Sequence, residues 1–135
     1  SRSYPVGKVG EIAEQWASFA PLIPLVSDVE NPTTYGIIYN GSGGSFDYLS
    51  GIEWSKGTGS PGTLVRLDLV PQNYVVFKHN GHLAALRDTC DAIWSDWLPA
   101  SKKLAVEAPW FERYGESFNP ETGEGGLEVW IAVSP

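Results

Sequence analysis

The chain has 135 residues, with 16 acidic and nine basic side chains and a formal net charge of −7. Its length suits one compact domain that buries about two-thirds of its unfolded surface, and its 17 aromatic residues argue against disorder. The few basic residues are scattered, so we expect no direct nucleic-acid partner.

Two segments show a helical repeat of apolar residues. In the first, Val9–Ala20, apolar side chains recur every three or four residues, and Gln15 falls among the polar positions. Pro21 is expected to stop this helix or force a turn. The second, His82–Leu98, carries a wide apolar stripe that includes Cys90, and Pro99 is expected to close it.

Strand-like runs lie between and after the predicted helices, and Gly, Pro or Asn residues bound each of them. The predicted strands are Thr34–Tyr39, Phe46–Trp54, Thr63–Val70, Tyr74–Lys78, Trp110–Phe118 and Leu127–Val133. Strands of this kind with only two helices favour an α+β fold, in which an antiparallel sheet carries both helices on one side.

The order of elements repeats along the chain. A helix, a strand, a turn and a second strand come first, and a strand, helix, strand and strand follow. We therefore predict a tandem strand-helix-strand-strand duplication within one domain, residues 1–135, with repeats at about 1–60 and 61–135. The first repeat lacks an obvious opening strand, which Ser1–Lys8 can supply unless the chain begins late in the repeat.

Acidic residues stand among aromatic residues in three of the predicted strands. Side chains alternate between the two faces of a strand, so Trp110, Glu112 and Tyr114 should point the same way from their strand, and Glu128 and Trp130 should point the same way from theirs. Glu53 beside Trp54 is the third case. A carboxylate among aromatic rings suits a lipophilic cation, because the rings provide cation–π attraction and the carboxylate provides the counter-charge. In the alternative interpretation the glutamates are ordinary surface groups that pair with Arg or Lys, and the rings fill the core.

Other residues with chemical potential point to structural roles. His79 and His82 flank a turn and lack further ligands for zinc, so we expect no metal. Cys90 is predicted to pack as a small apolar residue. It cannot form an internal disulfide, no apolar run approaches 18 residues, and the N-terminus lacks the apolar core of a signal peptide, so we expect a cytoplasmic protein without a membrane span.

Several motifs, in order, resemble the GyrI-like effector-binding domains. They are Trp16-Ala17-Ser18-Phe19, Tyr35-Gly36-Ile37, the run Leu69–His82, Trp97-Leu98-Pro99, Phe111-Glu112-Arg113-Tyr114 and Glu128–Val133. The likeness spans nearly the whole chain. It implies the tandem fold predicted above, with a ligand groove between the two halves.

The resemblance also implies a function. Members of this family are sensor domains of multidrug-responsive transcription regulators, stand-alone drug-binding proteins linked to antibiotic resistance, or gyrase inhibitors, and one branch hydrolyses reactive natural products. In the drug-sensing members an acidic residue in an aromatic pocket receives lipophilic cations. That residue corresponds to Glu112, with Glu128 as a second candidate and Tyr35, Trp110, Tyr114 and Trp130 as aromatic partners. No recognition helix of a DNA-binding domain is visible in this sequence.

We therefore predict binding of a small amphipathic, cationic molecule, without a cofactor and without catalytic residues. Two alternatives stay open: a hydrolase in which Glu112 or Glu53 acts as general acid or base, and a protein-interaction role such as gyrase inhibition. A homodimer also stays open.

Overall fold

A computed structural model of the chain describes residues 1–5, 11–26, 32–42, 44–53, 64–119 and 121–135. In chain order the elements of the first half are β1 (Arg2–Pro5), α1 (Ile12–Phe19), a 3-10 turn (Ala20–Leu22), α2 (Ile23–Val26), β2 (Thr34–Ser42) and β3 (Ser45–Ile52). Those of the second half are β4 (Tyr74–His79), a 3-10 turn (Leu83–Ala85), α3 (Leu86–Ala92), a π-helical turn (Ile93–Trp97), α4 (Leu98–Ser101), β5 (Trp110–Tyr114) and β6 (Leu127–Ala132).

All six strands form one antiparallel sheet with the order β1-β3-β2-β5-β6-β4. Each half contributes a strand, a helical segment and two strands, and the order of one half mirrors that of the other about the β2–β5 pair. The α+β fold and its tandem duplication are confirmed, and β1 is the short opening strand that the first repeat needed.

The sheet has two different faces. The helix face is covered by α1 over β1 and β3, and by α3 with the π-helical turn over β4 and β6. The larger core cluster lies under the second helical segment, where Leu86, Ile93 and Leu98 pack on Val129 and Ile131. The open face carries a smaller cluster centred on Ile37, Leu49 and Phe111, against which Leu67 of the β3–β4 connection packs.

The predicted strand at Thr63–Val70 is wrong for the residues that the structure describes there. Residues 64–70 form no strand and instead cross the open face, where Leu67 packs on the sheet. The alternation of polar and apolar residues suggested a strand, but β3 is already paired with β1 and β2, so the following chain leaves the sheet. The strand predicted to reach Phe118 ends earlier, at Tyr114.

The second helical segment continues through Pro99 to Ser101, although Pro99 was expected to close it. A proline inside an α-helix removes one N–H donor and clashes with the carbonyl one turn earlier. Here the preceding turn is π-helical, with the Leu98 N–H bonded to the Ile93 carbonyl, and this wider turn accommodates the proline. Lys102, with a left-handed φ of 61°, then ends the segment.

Gln15 was expected on the polar side of α1, and this is wrong. The side chain is buried against the sheet, where it accepts a hydrogen bond from the Tyr4 hydroxyl at 2.7 Å. Its amide nitrogen donates to the Tyr48 carbonyl at 2.9 Å and to the Ser50 hydroxyl at 3.3 Å. Because these bonds satisfy the amide, its burial carries little cost, and Gln15 connects α1 with β1 and β3.

In the described part of the chain, no helix has the length and apolar character needed to cross a membrane.

Candidate ligand-binding site

Glu112 lies near the middle of β5, in the centre of the sheet, opposite Gly36 of β2 and Val129 of β6. Its side chain is on the helix face. The residue keeps intermediate exposure and is not fully enclosed. Because β5 pairs with β2 of the first repeat, Glu112 lies at the boundary between the two repeats.

Two tyrosine hydroxyls converge on one oxygen of this carboxylate. Tyr48 donates to Glu112 Oε1 at 2.8 Å, and Tyr114 donates to the same atom at 3.1 Å. The Trp16 indole of α1 donates in turn to the Tyr48 hydroxyl at 3.0 Å. The Trp16 ring also meets the rings of Tyr48 and Tyr114 edge-on.

The Glu112 carboxylate has no basic partner among the described residues, where the two ion pairs are Arg66–Asp68 and Arg113–Glu128. Loss of solvent raises the pKa of Glu112, and the hydrogen bonds from Tyr48 and Tyr114 oppose that rise only in part. Burial, followed by the charge of Glu112, raises the pKa of Tyr48 and of Tyr114. Both tyrosines therefore remain protonated donors at neutral pH.

Gly36 creates the space in which this arrangement forms. A Cβ atom at this position would overlap the Tyr48 hydroxyl and would lie 2.7 Å from Glu112 Oε1. Since Gly36 stands between β3 and β5 in the sheet, its missing side chain allows Tyr48 to reach across β2 to the carboxylate.

Trp110 lies on the same face but farther toward α3. It packs against the core cluster beneath the second helical segment, and its ring meets Trp94 of the π-helical turn at 5.7 Å. Cys90 packs against the same cluster, as predicted, and burial raises the pKa of its thiol to about 12. A thiol in this state is a poor nucleophile.

The other predicted residues lie on the open face, away from Glu112. Tyr35 donates to Glu53 Oε1 at 2.9 Å, just beyond the end of β3. Glu128 accepts from Arg113 Nη1 at 3.4 Å and from the Trp130 indole at 3.2 Å. Trp54 lies outside the described residues. The structure thus divides the predicted set into a helix-face group, Trp110, Glu112 and Tyr114, and an open-face group, Tyr35, Glu53, Glu128 and Trp130.

The histidines serve the turn before α3. Both ring nitrogens of His79 lie within hydrogen-bonding distance of partners, 2.7 Å from the Thr89 hydroxyl and 2.8 Å from the His82 carbonyl. His82 Nδ1 accepts from the Ala84 N–H at 2.9 Å and so caps the first helical turn. No group of three potential metal ligands stands together in the ranges that the structure describes.

Sequence reasoning missed Tyr48 and Trp16 as members of the Glu112 site. Tyr48 lies two strands away from Glu112, and Trp16 comes from a helix, so strand alternation around Glu112 could not find either one. One signal was available: a glycine inside a strand, here Gly36, often marks the close approach of another group.

The fold is that of a class of small-molecule binding domains. The chain belongs to the GyrI-like small molecule binding domain family, whose model matches residues 3–134.

A known transcriptional regulator is similar to this chain in sequence. Over 125 residues the chain is 31% identical to the transcriptional regulator BrlR of Pseudomonas aeruginosa PAO1, an alignment that covers 90% of this chain and 46% of BrlR. The chain thus spans about half the length of that curated relative.

Two solved structures share the fold. One is a putative bacterial transcription regulation protein from Staphylococcus aureus MU50, with a TM-score of 0.69, 18% identity and coverage of 99% of this chain and 88% of that one. The other is SAV2435 bound to tetraphenylphosphonium, with a TM-score of 0.72, 18% identity and coverage of 98% and 84%.

Proposed function

We propose that this domain binds small amphipathic cations on the helix face, with Glu112 as the counter-charge and Trp16, Tyr48 and Tyr114 as aromatic neighbours. The observation that carries the proposal is a partly buried carboxylate with two hydroxyl donors and no basic partner among the described residues. Such a group is costly to keep in a protein interior. A bound cation would compensate the charge and also gain from the rings.

Two comparisons support this proposal. SAV2435, a protein of the same fold, has been solved with a lipophilic cation, tetraphenylphosphonium. BrlR is a transcriptional regulator, and the alignment covers 46% of it. We infer that the domain acts as the drug sensor of such a cytoplasmic regulator, or as a stand-alone binder of several drugs that contributes to antibiotic resistance.

The test uses two ions of nearly the same shape and opposite charge, tetraphenylphosphonium and tetraphenylborate. Quenching of tryptophan fluorescence measures each affinity, and thermal unfolding gives an independent readout. We expect the phosphonium ion to bind and stabilise the protein, and the borate ion to bind much more weakly.

The variant Glu112→Gln keeps the shape of the side chain and removes its charge. At an effective dielectric constant of about 20, a carboxylate about 6–10 Å from the phosphonium charge contributes about 1.7–2.8 kcal/mol, so phosphonium affinity should fall by about 10- to 100-fold. Glu107→Gln makes the same change in net charge at an exposed position and should leave the affinity as it is. Equal affinity for the two ions, or unchanged phosphonium binding in Glu112→Gln, would contradict the proposal.

A further inference from the structure

A cavity lies over the open face of the sheet, away from Glu112. Its volume is about 860 Å³. Tyr35, Ile37, Phe111 and Trp130 contribute to its floor, and residues 64–69 pass above them. The cavity also reaches α1, where Gln15, Ser18 and Phe19 contribute to its lining. Ligand sites for drug-sized molecules fall in the same range of volumes, roughly 300–1,000 Å³.

The floor of this cavity is a preformed aromatic surface. The rings of Phe111 and Trp130 are stacked, with centroids 5.3 Å apart and planes 20° apart. Tyr35 meets Phe111 edge-on at 5.7 Å. Phe111 is buried, whereas Tyr35 and Trp130 keep intermediate exposure. Because Phe111 supports these two rings, a planar molecule can pack on them with little loss of side-chain freedom.

The net charge of the side chains that line the cavity is opposite in sign to the net charge of the whole chain. Three of the four arginines in the chain, Arg2, Arg66 and Arg113, line the cavity, together with two acidic residues, Glu53 and Asp68. The side chains of the lining thus carry a net charge of +1, whereas the chain carries −7. Arginine is well suited to carboxylates, because its planar guanidinium offers several N–H donors in a fixed geometry.

Arg113 is the arginine best placed to hold an anion above the aromatic floor. It stands opposite Tyr35 in the neighbouring strand, and 35% of its side chain is exposed. Its ion pair with Glu128 is a single contact of 3.4 Å between Nη1 and Oε1. That distance is well beyond the roughly 2.7–2.9 Å of a strong charge-assisted bond, so the pair can yield to a better carboxylate partner.

We propose that this cavity is a second ligand site, which binds planar aromatic carboxylates. The ring of the ligand packs on Tyr35 and Trp130, beside the buried Phe111, and its carboxylate pairs with Arg113. The domain would then bind ligands of opposite charge on opposite faces of one sheet, with Glu112 in one site and Arg113 in the other.

Isothermal titration calorimetry with 2-naphthoate and its neutral amide, 2-naphthamide, tests the charge preference. We expect 2-naphthoate to bind about tenfold more tightly than the amide, and Arg113→Gln to remove this difference. Arg87→Gln, an exposed arginine on α3, serves as the control of equal charge and should retain it. Glu112→Gln should also retain it, so this result is separate from the outcome of the cation experiment.

The position of the ligand is measured independently, without relying on a variant that must fold. In an NMR titration of the wild-type protein, 2-naphthoate should shift the indole N–H signal of Trp130 and leave that of Trp16 in place. Tetraphenylphosphonium should shift the Trp16 signal. Equal affinity for naphthoate and naphthamide, an unchanged preference in Arg113→Gln, or a naphthoate-induced shift of Trp16 alone would overturn the proposal.

Discussion

Ionisation of Glu112 in the folded protein costs stability. Burial raises the pKa of its carboxyl in the folded protein above the ordinary value of 4.5. Between the unfolded and folded pKa values the folded protein binds more protons than the unfolded chain. The free energy of unfolding therefore falls as pH rises through this window, and the deficit persists at higher pH.

We expect Glu112→Gln to raise the melting temperature at neutral pH, because a glutamine keeps an oxygen for the two tyrosine hydroxyls and carries no charge. The gain should shrink as pH falls from the raised folded-state pKa of Glu112 towards the ordinary glutamate value of 4.5, and should be lost below that value, where the wild-type carboxyl is protonated in both states. Thermal unfolding across a pH series measures this. Glu107→Gln should show no such pH-dependent difference, and a Glu112→Gln variant that is less stable at neutral pH would contradict the expectation.

The affinity for a cation should rise with pH, whereas the free energy of unfolding falls. As pH falls through the raised pKa of Glu112, the carboxyl is neutralised and loses its attraction for the ligand. Phosphonium titrations at several pH values should therefore show weaker binding at acid pH, starting above the range of an exposed glutamate. The Glu112→Gln variant should show a flat profile, and a wild-type profile equally flat would contradict the prediction.

Gly36 is the position at which a single methyl group should disturb the site. Gly36→Ala would push the new Cβ against the Tyr48 hydroxyl and Glu112 Oε1, and Tyr48 is held in the core with 2% exposure. Overpacking of this kind costs about 1–3 kcal/mol, and cation affinity should fall with it. Chemical denaturation and phosphonium titration measure both effects. Gly41→Ala, where the Cβ meets nothing within 4 Å, is the control, and equal behaviour of the two variants would argue against a role for Gly36.

At the scale of elements, sequence patterns predict features that depend on one segment alone. They fail for features that depend on the contact between two segments. Alternation correctly placed Trp110, Glu112 and Tyr114 on one face, because the pleat fixes the direction of each side chain. The same rule failed for residues 64–70, since whether a strand forms depends on a free neighbouring edge, which no local pattern records. Sequence also placed Glu112 and Trp130 in one pocket, whereas the register puts them on opposite faces.

The docking of α1 on the sheet depends on the polar side chain of Gln15. Replacing this side chain should therefore destabilise the whole helix. Gln15→Leu removes the acceptor for Tyr4 and the donor to the Tyr48 carbonyl. Leaving such groups unpaired costs about 1–3 kcal/mol each. We expect lower stability and faster amide hydrogen exchange in α1 and β1. Glu14→Gln, at an exposed position on the same helix, is the control and should leave exchange as in the wild type. Wild-type exchange rates in Gln15→Leu would contradict the expectation.

At the scale of the whole molecule, one sheet runs through both repeats and joins them at the β2–β5 pair. The tandem order could be predicted because each repeat preserves its sequence of elements and turns. The path of the chain between the repeats could not, because the alternation in residues 64–70 predicts a strand where none forms.

This continuity predicts a single unfolding transition. Ile131→Ala, in the fully buried core of β6, should cost about 2–5 kcal/mol. Because the two halves share the sheet, the loss should accelerate hydrogen exchange in β2 and β3 as well as in β5 and β6. Two separate transitions, or protection lost only in the second half, would show that the repeats unfold independently.

The division of the Glu112 site between repeats has a consequence for how such a site can arise. The acid comes from β5 in the second repeat, whereas Tyr48, Trp16 and the gap at Gly36 come from the first. A lone repeat would have to meet a second copy along the β2 edge to bring such an acid and its distant donor together. When both copies lie in one polypeptide, each half can mutate independently. The second repeat can then keep Glu112 while the first keeps Gly36 beside it.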